Sequence, residues 1–276
     1  MGKTIFMRFP GGRSKAMTFS YDDGVYQDLR LKGIFDKYHL KCTFNINSGW
    51  MHPEEQERVE YKGKLKFSEM ADFTENHEIA VHTSHHPRLE ILKPINLLDE
   101  ILEDRREIER RFGTDARGMA YPFGGVSDAV INAARTAGIV YSRHVDSTHN
   151  FALPQNWMML KPTCHHADPR LMELADKFVN QNPRWEEVWM FYVWGHSYEF
   201  DNDQNWDVIE KFAQYISRHD DVWYATNIQI YDYVKAYEAL RLSALAERVY
   251  NPTASKVWLC CSGETISIGP GEERKL

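Results

Sequence analysis

Two short stretches concentrate groups that bind metals and move protons. "TFSYDDG" places Asp22 and Asp23 at the end of an apolar run, with Gly24 letting the chain turn. "IAVHTSHHPRLE", residues 79–90, places His82, His85 and His86 directly after another apolar run. Carboxylate and imidazole together form the donor set of a first-row divalent metal, and a catalytic zinc site takes three such ligands and keeps one position open. His82 and His86, at i and i+4, reach one metal if the segment makes a helical turn. His85, at i+3, substitutes geometrically, so spacing leaves the choice between them open. Taken alone, Asp-Asp-Gly is also an ordinary turn sequence, and a histidine cluster also suits a polar loop.

Three further places could add to such a site. In "RGMAYPFGG", Arg117 opens a run that Tyr121 closes, and Pro122, Gly124 and Gly125 shape the loop that follows. In "FYVWGHSYEF" an aromatic run ends at Gly195 and His196, a position for a general acid or base. Trp194 and Tyr198 beside it can stack on a substrate ring, although Trp194 inside the run equally suits a core. In "KPTCHHAD", His165 and His166 follow one more run and are candidates for substrate binding; a second metal there would need a carboxylate such as Asp168.

Groups scattered over the chain in this way meet only if a scaffold gathers the ends of separate strands. Candidate strands fall at 16–21, 42–46, 78–82, 118–121, 139–143, 157–160 and 188–194. Segments of helical period lie between them: 28–39, 96–112, 126–138, and 205–248 with an interruption at "DDVWYATN". Glu107 and Arg111 pair at i,i+4 on the solvated face of the second segment. Such alternation predicts an α/β fold, a distorted and incomplete (β/α) barrel of about seven parallel strands, whose active site lies at the C-terminal ends of the strands. The barrel is expected over residues 1–250. Residues 251–276, with two short strands around Ser262-Gly263, are expected to form a C-terminal β-hairpin appendage packed on it. The charged stretch 52–66 is expected as an exposed loop.

Composition narrows the function classes. The chain has 43% hydrophobic and 26% charged residues with a net charge of -7, an ordinary globular balance that favours neither nucleic acid nor an anionic membrane as partner. No run approaches the roughly 18 apolar residues of a membrane span, and the apolar stretch near the N-terminus is too short for a signal-peptide core, so cytoplasmic residence is the expectation. Cys42, Cys164, Cys260 and Cys261 offer no CxxC spacing and are expected as free thiols.

The order of these motifs resembles that of the polysaccharide deacetylase family, carbohydrate esterase family 4, with its NodB-homology domain. The family's Thr-Phe-Asp-Asp-Gly is similar to "SYDDG", and its His-(Ser/Thr)-x-x-His-Pro matches His82 to Pro87 position by position. The resemblance implies Asp22 as catalytic base and Asp23, His82 and His86 as ligands of Zn2+ or another divalent first-row metal such as Co2+ or Ni2+. It further implies that Arg117 orients Asp22, that the backbone N–H of Tyr121, beside Pro122, helps hold an oxyanion, and that His196 of "VWGH" is the general acid. The family's Asp-x-x-Asp-Trp motif has no match in order; Asp146 stands at about its place without the tryptophan. The implied activity is deacetylation of an N-acetylated, or O-acetylated, sugar or oligosaccharide. Two alternatives stand beside it: a hydrolase of the same fold acting on non-sugar C–N bonds such as cyclic imides or ureides, and a non-catalytic carbohydrate-binding protein.

Overall fold

The computed structural model of the chain describes residues 4–57 and 63–276. After β1 (Ile5–Arg8), which lies outside the main sheet, the parallel strands are β2 (Lys15–Asp22), β3 (Cys42–Ile46), β4 (Glu78–Val81), β5 (Gly118–Ala120) and β6 (Tyr141–Arg143). Three more complete them: β7 (Cys164–His165), β8 (Trp189–Gly195) and β9 (Val222–Tyr224). The sheet runs β6-β5-β4-β3-β2-β8-β7, every pair parallel, and curls into an incomplete barrel. β2 is its axis. All eight of its residues are buried, as a strand covered on both faces must be, and β9 pairs with its first half where β3 has not yet begun.

Helices α1 (Asp28–Lys37), α2 (Pro94–Phe112), α3 (Asp128–Thr136), α4 (Leu171–Asn180), α5 (Tyr198–Asn202), α6 (Trp206–Ile216) and α7 (Asn227–Glu238) cover the sheet. α2 starts on a proline, whose fixed φ suits a first turn, and stops where Gly113 takes φ 66°. Ser127 caps α3 by accepting the Val130 N–H. Under the helices the core is largely aromatic, with Phe19 against Phe35 at 4.5 Å and Phe44 against Phe73 at 4.9 Å. On α2 the buried stripe Leu97, Ile101 and Ile108 also contains Asp104, which is fully buried. A carboxylate on an apolar stripe needs partners, and its partners lead to the site.

Several expectations require correction. Residues 157–160 do not form a strand: 157–159 make a 3-10 turn, and Leu160 alone bridges to Arg143, because the strand that feeds β8 comes later, at 164–165. The helical pattern at 205–248 breaks at β9 and ends at Glu238; β10 (Arg241–Leu242) and β11 (Arg248–Tyr250) follow. β12 (Val257–Cys261) and β13 (Glu264–Ile268) form a hairpin whose turn residues Ser262 and Gly263 both have positive φ, the geometry of a tight two-residue connection. β12 pairs with β1, and β14 (Glu273–Lys275) with β11. The Tyr233 hydroxyl of α7 donates to Arg8 O and accepts the Trp258 N–H, tying both ends of the chain to the barrel. All four cysteines are buried and free. Among the described residues, no helix is long and apolar enough to cross a membrane.

Candidate active site

At the C-terminal ends of the strands, Asp22, Asp23, His82, His86, Tyr121, Phe123, Val145, Trp194, His196 and Tyr198 line one cavity of about 400 Å³. Asp22 ends β2 and Asp23 follows at φ 86°, a conformation Asp tolerates better than most residues. His82 and His86 converge without the helical turn that their spacing invited. Thr83 and His86 instead take positive φ, 65° and 49°, and the bent segment brings the two rings to 4.7 Å. Left-handed backbone at Asp23, Thr83 and His86 is strain gathered at one place, which the surroundings must hold.

Asp104 does much of that holding. From α2 it accepts the Ser48 N–H at 2.7 Å and the His82 N–H at 2.9 Å, fastening the ends of β3 and β4 together, and burial pushes its carboxyl up to about 7. Asn47 donates to the carbonyls of His82 and Thr83. His85 turns away: it is half exposed and bonds Glu100 through both its N–H and its ring.

Asp23, His82 and His86 each offer a ligand atom within 4.8 Å of the others, and the tautomer of His82 supports a metal. Its Nδ1 lies 2.8 Å from Ala120 O, a pure acceptor, so Nδ1 carries the hydrogen and Nε2 carries a lone pair. That Nε2 is buried without a hydrogen-bond partner and stands 3.9 Å from Asp23 Oδ1, as does His86 Nε2. Burial lowers the pKa of His82 to about 4 and that of His86 below its ordinary value, so both rings are neutral near pH 7. A carboxylate, two neutral imidazoles and an orphaned lone pair fit a divalent first-row cation.

Asp22 is buried beside this trio. Arg143 Nη2 pairs with it, Asn45 Nδ2 donates to it at 2.8 Å, and His82 Nε2 and His196 Nε2 stand at 3.8 and 3.9 Å. Burial works to raise its pKa, but the Arg143 guanidinium, the two histidines and Asn45 outweigh it and hold the carboxyl below its ordinary value. Arg117 does not orient Asp22. It sits at the opposite end of β5, before the strand, and pairs with Asp232 on α7. Arg143, at the site end of β6, takes the place expected for it; this arginine ends a predicted strand, the one signal that could have singled it out. The Tyr121 N–H likewise is not free for an oxyanion, because it donates to Arg143 O at 3.1 Å. Pro122 is buried in the 3-10 turn that follows.

His196 follows β8, and its Nδ1 donates to Glu199 Oε1 at 3.1 Å. Burial disfavours its charged ring, yet the Glu199 hydrogen bond, Asp22 and Asp23 outweigh this and raise its pKa. Asp146, at about the place of the missing motif, lies away on the surface with Lys161 and His144. Asp168 pairs with His149, and His165 and His166 gather on Glu199 instead. Trp194 is nearly buried, with Arg143 over its ring at 4.3 Å, and Tyr198 leans on His196 at 5.1 Å. Lys64, in the stretch read as an exposed loop and partly outside the described residues, reaches in to donate to Asp23 O at 2.6 Å and Asn47 Oδ1 at 3.0 Å. No pattern in the sequence marks it.

Asp22, Asp23, His82 and His86 thus meet at the C-terminal strand ends of a curled parallel half-barrel, the end at which such folds carry their active sites. Residues 10–142 match the family model described as polysaccharide deacetylase. A search of curated proteins finds no significant match. Among solved structures, a putative polysaccharide deacetylase from Mycobacterium smegmatis aligns at TM-score 0.58 and 18% identity, over 83% of this chain and 93% of that one. Peptidoglycan deacetylase PdaC from Bacillus subtilis aligns at TM-score 0.50 and 19% identity, over 82% and 94%. The Streptococcus pyogenes deacetylase PplD in complex with acetate aligns at TM-score 0.46 and 18% identity; this chain covers 61% of its length and 51% of its own. At these identities the likeness is one of fold.

Proposed function

We propose that the protein is a metal-dependent hydrolase that removes acetyl groups from N-acetylated or O-acetylated carbohydrate. The observation that carries this reading is the buried lone pair of His82 Nε2, aimed at Asp23 and His86 beside a second, ionised carboxylate. Asp23, His82 and His86 would hold Zn2+, or Co2+ or Ni2+, which when bound supplies a Lewis acid that makes water a stronger nucleophile and polarises the acyl carbonyl.

The chain's own groups divide the rest of the chemistry. Asp22, kept charged by Arg143, takes the proton of the attacking water. His196, with Nδ1–H fixed on Glu199, presents Nε2 to the site and gives its proton to the departing amine. Tyr121, Val145 and Trp194 line an apolar wall suited to an acetyl methyl, and the exposed ring of Phe123 at the rim suits a sugar face.

An acetate-release screen of the zinc-loaded protein over N- and O-acetylated sugars, run beside cyclic imides and ureides, tests the reading. Acetate from acetylated sugars supports it. Turnover of imides or ureides alone replaces the substrate class, and no turnover of any of them by a protein with one bound metal favours the non-catalytic carbohydrate binder.

A further inference from the structure

His165, His166 and Glu199 form a second cluster of metal-ligand composition behind His196, with ligand atoms within 4.8 Å of one another. We infer that this cluster is a hydrogen-bonded clamp rather than a metal site: Glu199 is the positioning residue for His196, and His165 and His166 pin Glu199. The inference rests on the reading of His196 as general acid.

The hydrogen positions follow from the partners. The Ala167 N–H donates to His165 Nδ1 at 3.1 Å, so Nδ1 supplies the lone pair and the hydrogen of the neutral ring sits on Nε2. That Nε2 lies 3.2 Å from Glu199 Oε2 and can only donate there; it has no lone pair to give a metal. His166 Nε2 meets the same oxygen at 3.1 Å. The other oxygen, Oε1, receives His196 Nδ1–H at 3.1 Å, and the His196 backbone N–H reaches Oε2 at 3.3 Å. The carboxylate is thus saturated by N–H donors from three histidines. Each one favours its ionised form and fixes its plane.

Packing makes the clamp rigid. The His166 ring packs against both Tyr21, stacked at 5.6 Å, and Phe200, stacked at 4.2 Å. Gly195, directly before His196, is open to the same ring: a Cβ there would fall 1.9 Å from His166 Nδ1. The glycine of "VWGH" is therefore what lets β7 and β8 deliver His166 and His196 to opposite oxygens of one carboxylate. With Nδ1–H held on Glu199, the His196 ring can turn only one nitrogen, Nε2, toward Asp22.

The test compares Glu199→Gln with His196→Ala in the zinc-loaded protein against whichever acetylated sugar it turns over. Glu199→Gln is expected to keep one bound zinc, lower kcat about 10- to 100-fold and change KM less than about twofold, the pattern of a lost transition-state contribution. Combining it with His196→Ala should cost nothing beyond His196→Ala alone. If His196→Ala is impaired while Glu199→Gln keeps its kcat, the clamp is overturned and the acid role stands. If His196→Ala keeps full kcat, the acid role itself falls and the clamp with it. Nitrogen NMR of 15N-histidine-labelled wild type reads the clamp without any variant: Nε2–H on His165 and Nδ1–H on His196 support it. A metal-shifted His165 nitrogen, or a second equivalent of bound zinc, overturns it.

Discussion

The two histidine-carboxylate clusters share a composition and differ in the placement of a hydrogen. In Asp23–His82–His86 the ring nitrogen turned away from the centre of the cluster faces a carbonyl, Ala120 O, which forces a lone pair inward. In His165–His166–Glu199 the corresponding nitrogen of His165 faces an N–H, that of Ala167, which forces a hydrogen inward. Spacing agrees: 3.9 Å across the first cluster, where nothing donates, and 3.1–3.2 Å across the second, where N–H groups donate to oxygen. Ligand type and count alone do not separate the two clusters; the backbone groups behind His82 and His165 do.

Substitution of the paired histidines should separate the clusters most sharply. His82→Ala is expected to abolish bound metal and turnover together, whereas His165→Ala keeps one metal per chain, measured by elemental analysis; equal metal loss in both would erase the distinction. Next in size, Asp22→Asn should keep the metal and lose about 10²- to 10⁴-fold in kcat, because it removes a proton acceptor and no ligand. Arg143→Met should then lower stability by about 3–5 kcal/mol, since it leaves Asp22 charged and buried without its cation. Arg117→Met, at a partly exposed pair with Asp232, should cost less than about 1 kcal/mol, so chemical denaturation of the two variants distinguishes the arginines.

A pH-dependent test concerns the turn that carries Glu199. Ser197 donates to the buried Asp28 at 2.6 Å, and burial pushes the Asp28 carboxyl up to about 7. With its pKa raised on folding, the native state holds a proton that the unfolded chain releases near the ordinary Asp range of about 4. This contribution is complete below that range and is lost as pH rises through about 7. Asp28→Asn should flatten the fall of the melting temperature between those limits; an unchanged slope would show that Asp28 is ionised throughout.

Chemistry in the sequence was legible where it coincides with a strand end. Asp22, Asp23, His82 and His196 each close or follow an apolar run, and the parallel sheet brings those ends to one mouth. Arg143 closes such a run as well, yet an arginine ending a strand is common and its partner lies 121 positions away. Glu199 stands at i+3 from His196 on a helix of only five residues, too short to show a periodicity. Lys64 reaches the site from a charged loop whose composition resembles solvent-facing sequence. Helix geometry was the natural guess for His82 and His86, but left-handed backbone at Thr83 and His86 achieves the same convergence, and residue type does not announce it. The strand expected at 157–160 failed because an apolar run of four residues serves a 3-10 turn against the core as well as it serves a strand.

The pairing of β1 with β12 has a consequence for how the chain is made. Strands β2 to β9, and every residue lining the cavity, are complete by residue 224, so the cavity mouth can assemble while later residues are still being synthesised. The first strand cannot. Ile5–Arg8 emerges before any of them and finds its hydrogen-bonding partner only when Val257–Cys261 arrives, so it stays an unpaired edge until every strand of the main sheet has been made.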